Sequence, residues 1–239
     1  MTPYRGTGLI FAVMTPTQMT VNRLAADLLA RLPLISAEEQ RLAVEIYDQL
    51  AKGHPVTPSR LAQALQLSAS GVEELLKRPN LQSLTYRDKQ GSIVGFGGLA
   101  VTEMPHRLIV DGRTLFAWCA WDTLFIPGIL GRTADVSSPT PDGATRIRLR
   151  VAPGGVEEIE PRSAVMSFLL PSAETFQADA LKAIASFCHF IFFFPNAHTA
   201  AAWTASRPDT SVISVSDAFE LGRRMITARY GAALERRRT

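Results

Sequence analysis

The chain of 239 residues is 46% hydrophobic and 20% charged, which allows one large or two small domains and excludes global disorder. A net charge of +3 and a pI of about 9.1 are too mild to select a nucleic-acid partner by themselves. Two cysteines, Cys119 and Cys188, are too few for a disulfide scaffold or a structural zinc site and suit a reducing cytosol.

Residues 1–21 show no clear hydrophobic period and read as an N-terminal arm. The apolar "GLIFAVM" within them is short and lacks a closely following small-x-small cleavage pattern. No stretch reaches the roughly 20 apolar residues that span a bilayer, so a cytoplasmic protein without a membrane partner is expected. From Asn22, "NRLAADLLARLP" puts Leu24, Leu28 and Leu29 on one helical face, with Pro33 as a stop. "SAEEQRLAVEIYDQLAKG" opens with the capping-box pair Ser36 and Glu39, lines up Leu42, Ile46 and Leu50, and ends at Gly53. Thr57 is the expected cap of a helix through Leu65, and Ser70 that of a second helix through Lys77.

"LTYRDKQGSIVGFGGLAVTE" reads as two strands around a polar turn at Gly91. Helix-turn-helix plus hairpin predicts a winged-helix-like domain over residues 22–101. DNA binding is disfavoured, because Glu73 and Glu74 stand where phosphates would approach the second helix. The wing adds Arg87 and Lys89 but also Asp88.

Residues 102–239 predict a mixed α/β catalytic domain, and the whole chain an α+β fold with a mixed-sheet core. "HRLIVDGRTLFAW" reads as a strand, a turn at Asp111–Gly112 and an apolar run. "CAWDTLFIPGILG" reads as a helix limited or kinked by Pro127. Strands follow at "ADVSS", "TRIRLRV" and "AVMSFLL", then a helix over residues 172–187 capped by Ser172. "FCHFIFFF" reads as a buried strand, "NAHTAAAWTAS" as a helix capped by Asn196, and "SVISV" as a strand. A terminal helix capped by Ser216 ends in "ERRRT", read as a solvated helix end.

Chemistry concentrates in "LFAWCAWDTLFIPGILGR". A carboxylate in so apolar a run costs free energy unless it is paired or protonated. On a helix, Cys119 and Asp122 would share one face, so Asp122 can take the thiol proton or deliver its own as a general acid. Each cysteine taken alone reads first as a small buried hydrophobe. Together, two thiolates form a soft, low-coordination site suited to mercury(II) or copper(I). His189 would face away from Cys188 on a strand, and His54, His106 and His198 read as solvated. Trp118, Phe116 and Phe187 are candidates to line a pocket, with plain core as the competing reading.

"RTLFAWCAWDTLFIPGILGRTADVSS" resembles the signature segment of the bacterial alkylmercury (organomercurial) lyases, and "SFCHFIFFFPNAHTAAAWTAS" resembles their second cysteine segment. "AKGHPVTPSRLAQAL" and "ISVSDAFELG" match in order and spacing, so the resemblance covers roughly residues 40–225. It implies cleavage of carbon–mercury bonds by protonolysis, giving a hydrocarbon and mercury(II). It implies Cys119 and Cys188 as mercury-binding thiols and Asp122 as the proton-handling carboxylate that completes the mercury site. No organic cofactor is implied: mercury is substrate and product, external cytosolic thiols are co-reactants, and mercuric reductase is the usual acceptor. Some relatives carry a third cysteine where this chain has His189. The rival expectation is a noncatalytic two-thiolate carrier of mercury(II) or copper(I), which has no use for the proton donor Asp122.

Overall fold

The computed structural model describes residues 21–32, 34–169, 187–207 and 209–237. The expected arm except its last residue, the Pro33 stop and nearly all of the helix over 172–187 with its Ser172 cap lie outside them. Helices α1 (Val21–Arg31), α2 (Ala37–Leu50), α3 (Pro58–Leu65), α4 (Ala69–Leu76) and α5 (Pro79–Gln82) come first. Strands β1 (Thr85–Arg87), β2 (Ile93–Phe96), β3 (Leu99–Ala100), β4 (His106–Val110) and β5 (Arg113–Ala117) precede α6 (Asp122–Leu130). Then come β6 (Ala134–Pro139), β7 (Arg146–Ala152), β8 (Gly155–Glu160) and β9 (Val165–Leu169). The chain closes with β10 (Phe193–Phe194), α7 (Ala197–Thr204), β11 (Thr210–Ser214) and α8 (Val215–Arg236).

Local signals explain most of these elements. Ser36 and Glu39 form the capping box of α2: the Glu39 N–H donates to Ser36 Oγ at 3.2 Å and the Ser36 N–H to Glu39 Oε2 at 2.7 Å. Thr57 caps α3 and Asn196 caps α7. Two caps differ from expectation in the same way. Ser68, not Ser70, caps α4, and Ser214, not Ser216, caps α8. In each Ser-x-Ser the earlier serine has the extended backbone that a cap needs, and the later hydroxyl lies against it at 3.1 and 3.0 Å. Helix α6 runs through Pro127 and stops at Gly131, whose φ of 66° only glycine adopts readily.

An eight-stranded sheet has the order β1-β2-β3-β5-β4-β6-β7-β8, and a three-stranded sheet has the order β10-β9-β11. The α+β class is as expected. Every described pairing is antiparallel, however, where a mixed sheet was expected. Three of these pairs, β2–β3, β4–β5 and β7–β8, are joined by two-residue turns, which can only join antiparallel neighbours. The turn at Asp111–Gly112 has φ of 48° and 73°, the mirror-image geometry that suits a twisted hairpin. Strand β8, "GVEEIE", was not anticipated, because an edge strand buries too little to show alternation.

Helix α8 packs against α1, α2 and α6, and one apolar cluster runs from Leu24 in α1 to Ala233 in α8. The C-terminal arginines are not all solvated: Arg237 pairs with Asp48 on α2 and donates to the Ile129 carbonyl at 3.2 Å. Among the described residues no helix is long and apolar enough to cross a membrane.

The cap assignments are testable by urea unfolding. Ser214→Ala is expected to cost about 1 kcal/mol, and Ser216→Ala less than about 0.5 kcal/mol. Equal losses would contradict the assignment.

Candidate active site

The contact between Cys119 and Asp122 forms, but not on one helical face. Strand β5 ends at Ala117 and α6 begins at Asp122, so Cys119 lies in the intervening turn. The turn folds back until the Cys119 N–H donates to Asp122 Oδ2 at 2.8 Å. The Thr123 hydroxyl closes the turn by donating to the Ala120 carbonyl at 2.6 Å.

Cys188 also differs from expectation. It opens a short 3-10 turn, Cys188–Phe190, and the strand of "FCHFIFFF" is limited to Phe193–Phe194. The cause is Ser167, fully buried on β9. Its hydroxyl donates to the Phe190 carbonyl at 2.8 Å and accepts the Phe192 N–H at 3.0 Å. A side chain therefore takes backbone groups that a longer ladder would have used. The strand argument for His189 falls with the strand, but His189 is exposed and outside the cluster. The Ala120 N–H reaches the Ile191 carbonyl at 3.4 Å and ties the two cysteine segments together.

These constraints bring the sulfurs of Cys119 and Cys188 and a carboxylate oxygen of Asp122 within 4.8 Å of one another. Cys119 and Asp122 are buried, and Cys188 is partly open. Burial pushes the Asp122 carboxyl up to about 7, although the Cys119 thiol and the backbone of Cys119 and Trp118 favour its charged form. Burial, then the neighbouring Cys188 and the Asp122 charge, raise the Cys119 thiol well above its ordinary value. At neutral pH the cluster thus holds a neutral thiol beside a carboxyl poised between its two forms.

The hairpin turn Gly97–Gly98, between β2 and β3, presses its backbone against the site. A Cβ on Gly98 would lie 2.6 Å from Asp122 Cγ, and one on Gly97 2.2 Å from the Tyr47 hydroxyl. Both glycines have positive φ, 51° and 99°. The Tyr47 hydroxyl donates to the Gly97 carbonyl at 2.7 Å, and the Trp118 N–H to the Gly98 carbonyl at 2.9 Å. The strand expected to run on from Gly91 breaks here, and "FGGL" supplies the two-residue hairpin.

A cavity of about 90 Å³ opens onto Asp122 and Cys188. Trp118, Trp121, Phe125, Phe187 and Met225 give it an apolar wall. Of the expected aromatic residues, Trp118 and Phe187 line it and Phe116 does not. Tyr47 and Arg229 also face the cavity, and neither carried any signal in the sequence. His106, expected to be solvated, is buried on β4 and hydrogen-bonded to Ser138 Oγ at 2.7 Å; burial lowers it to about 4. It faces the core because it starts a strand with alternating burial and does not lie in the preceding turn.

A family model described as alkylmercury lyase matches residues 99–227. The chain is 38% identical over 182 residues to an alkylmercury lyase of Staphylococcus epidermidis, covering 76% of this chain and 79% of that protein. It is 38% identical to that of Streptomyces lividans over 180 residues (75% and 79%), and 37% identical to that of Pseudomonas putida over 182 residues (76% and 81%). Among solved structures, the mercury-bound form of MerB2 superposes with a TM-score of 0.67 at 24% identity, covering 87% of this chain and 98% of that one, a likeness of fold.

Two measurements test the geometry. Gly98→Ala is expected to cost about 2 kcal/mol or more in urea unfolding, from strain and displacement of Asp122. Asp122→Asn tests the buried carboxyl. Its folded value of about 7 exceeds the unfolded value of about 3.9. The associated stability is therefore complete below about pH 4 and is lost as pH rises through about 7. The asparagine variant does not titrate, so it should gain on wild type by roughly 4 kcal/mol between pH 4 and pH 8. A difference flat with pH would contradict the burial argument.

Proposed function

The chain belongs to the alkylmercury lyase family, and we propose that Cys119, Asp122 and Cys188 carry the reaction. It is a carbon–mercury lyase that acts on organomercurials. The supporting observation is the convergence of two thiols and a carboxyl within 4.8 Å, with Cys188 and Asp122 lining an apolar cavity. Two soft sulfurs replace the external thiolate on the substrate's mercury and load electron density onto it. A carbanion leaves too poorly to depart alone, so a proton must reach carbon as the bond breaks. One protein thiol proton departs with the external thiol; the other passes through Asp122 to carbon. The balance is R–Hg–SR′ plus two protein thiols giving R–H, R′SH and mercury(II) on two thiolates. Asp122 ends as it began.

The protein's groups, the substrate and external thiols complete this chemistry without an organic cofactor. External thiols then remove mercury(II) from the partly open Cys188 side, with a mercuric reductase as the acceptor. A reducing cytoplasm suits two free thiols. No nucleic-acid role is needed: Arg87 on the β1 hairpin is held by Glu73 of α4, with nitrogen–oxygen distances of 2.9 and 3.1 Å.

Hydrocarbon release from phenylmercury with excess thiol tests the reading. Cys119→Ala and Cys188→Ala should each abolish benzene above the thiol-only control. Asp122→Asn should lose about 10²–10⁴-fold in rate while still binding one mercury(II). Release by Asp122→Asn within tenfold of wild type would remove the carboxyl from the mechanism.

A further inference from the structure

Arg229 takes no part in the reaction as drawn, yet it lies in the same cavity. It sits on α8 at 7% exposure, one residue from Tyr230 and four from Met225, which also line the cavity. Its Nε is buried without a hydrogen-bond partner, and among the described residues its guanidinium makes no hydrogen bond or ion pair. Its one aromatic contact, with the Tyr230 ring, is at 5.8 Å. That is near the outer reach of a cation–π interaction.

Such an arrangement is unfavourable in the empty protein. Guanidinium keeps its charge in proteins. A buried charge normally has a partner, and among the described residues none is supplied. Asp122 accepts from the Cys119 N–H and has no bond to Arg229. The Tyr47 hydroxyl is committed to the Gly97 carbonyl, and burial keeps it neutral. Among the described groups at the cavity, none is left to supply the counter-charge.

We propose that Arg229 binds a carboxylate carried by the substrate complex, so that the site favours carboxylated over uncharged partners. The planar fork of guanidinium matches a carboxylate, and a water-poor cavity strengthens the pair. Two components of the complex can bring that group: the organic residue on mercury, or the thiol that delivers it. The inference rests on the proposed reaction for its substrate, but the site itself can be tested without catalysis.

In one arm, kcat/KM is compared for 4-mercuribenzoate and phenylmercury, both with 2-mercaptoethanol. In the other, phenylmercury is offered with 3-mercaptopropionate or with 2-mercaptoethanol. Wild type should prefer the carboxylated member in at least one arm, and that arm identifies the source. Arg229→Met should reduce the preference at least tenfold, and Arg229→Lys should retain only part of it, because an ammonium keeps the charge but not the planar fork. Arg229→Gln serves the same comparison if the methionine variant does not fold. No preference in wild type, or a uniform fall across all pairs, overturns the proposal. Separately, benzoate binding is followed by the fluorescence of Trp118 and Trp121. Saturable binding weakened at least tenfold in Arg229→Met supports the site; equal binding, or none, overturns it. If benzoate binding depends on Arg229 but no pair yields hydrocarbon, the reaction falls and the anion site stands.

Discussion

Keeping the Asp122 carboxyl away from water is the constraint on which the rest of the site depends. Its position in the first turn of α6 favours the ionised form, since the helix dipole contributes about 0.3–1 kcal/mol there, up to ~2 when partly buried. The hydrogen bond from the Cys119 N–H pulls in the same direction. Burial nevertheless wins, because a rise from 3.8 to about 7 corresponds to roughly 4 kcal/mol in the opposite sense. An exposed carboxyl at a helix start would be fully ionised at neutral pH and would have no proton to give. Under the proposed reaction, the close approach of Gly98 and the aromatic wall serve this need.

The second constraint is assembly, because the two cysteine segments are distant in sequence. Ser167 fixes one of them by holding Phe190 and Phe192 through a single hydroxyl. Trp121 fixes the other. Its indole N–H donates to the Ala218 carbonyl of α8 at 2.8 Å. Its ring meets Phe125, Phe168 and Phe187 edge to face at 5.2 to 5.7 Å. Phe187 directly precedes Cys188, and Trp121 directly precedes Asp122. The packing of two aromatic rings thus sets the spacing between the thiol and the carboxyl. Gly222 is part of the same arrangement: a Cβ there would approach Phe125 Cβ to 2.9 Å, so α8 can lie close to α6 only without a side chain.

The sequence showed which three groups converge more clearly than how they do so. The apolar text around Cys119 and Asp122 was legible, because a carboxylate in such a run is anomalous on energetic grounds. The means of contact was not, because a spacing of three is compatible with both a helical face and a turn folding onto a helix start. "FCHFIFFF" has the composition of a strand, yet Ser167 diverts its backbone bonds, and no local pattern reveals a partner on another element. The caps of α4 and α8 shifted by two residues because Ser-x-Ser offers two spellings and only backbone conformation chooses between them. Tyr47 and Arg229 are ordinary helical residues in sequence; their position at the cavity is a product of how α2 and α8 pack. Where a signal is local, as at Ser36–Glu39 or Asp111–Gly112, it read correctly.

The distribution of protons explains why so apolar a site suits this chemistry. Under the proposed reaction the carbon–mercury–sulfur unit of the substrate enters uncharged, and the new carbon–hydrogen bond, the external thiol group and the bis-thiolate mercury(II) carry no net charge either. The dangerous step in a low-dielectric cavity is the creation of a free thiolate, since an unpaired buried charge is strongly unfavourable. A carboxyl beside the thiol avoids it, because the proton lost by sulfur moves a few ångströms and is then spent on carbon. Burial that raises both Cys119 and Asp122 is therefore no obstacle: it keeps the Cys119 proton bound until mercury is present to take its place, and leaves Asp122 poised to accept that proton and pass it on. The partly open Cys188 complements this arrangement. Mercury held only by sulfurs sealed from solvent would be released slowly, whereas one accessible sulfur gives an external thiol a point of attack.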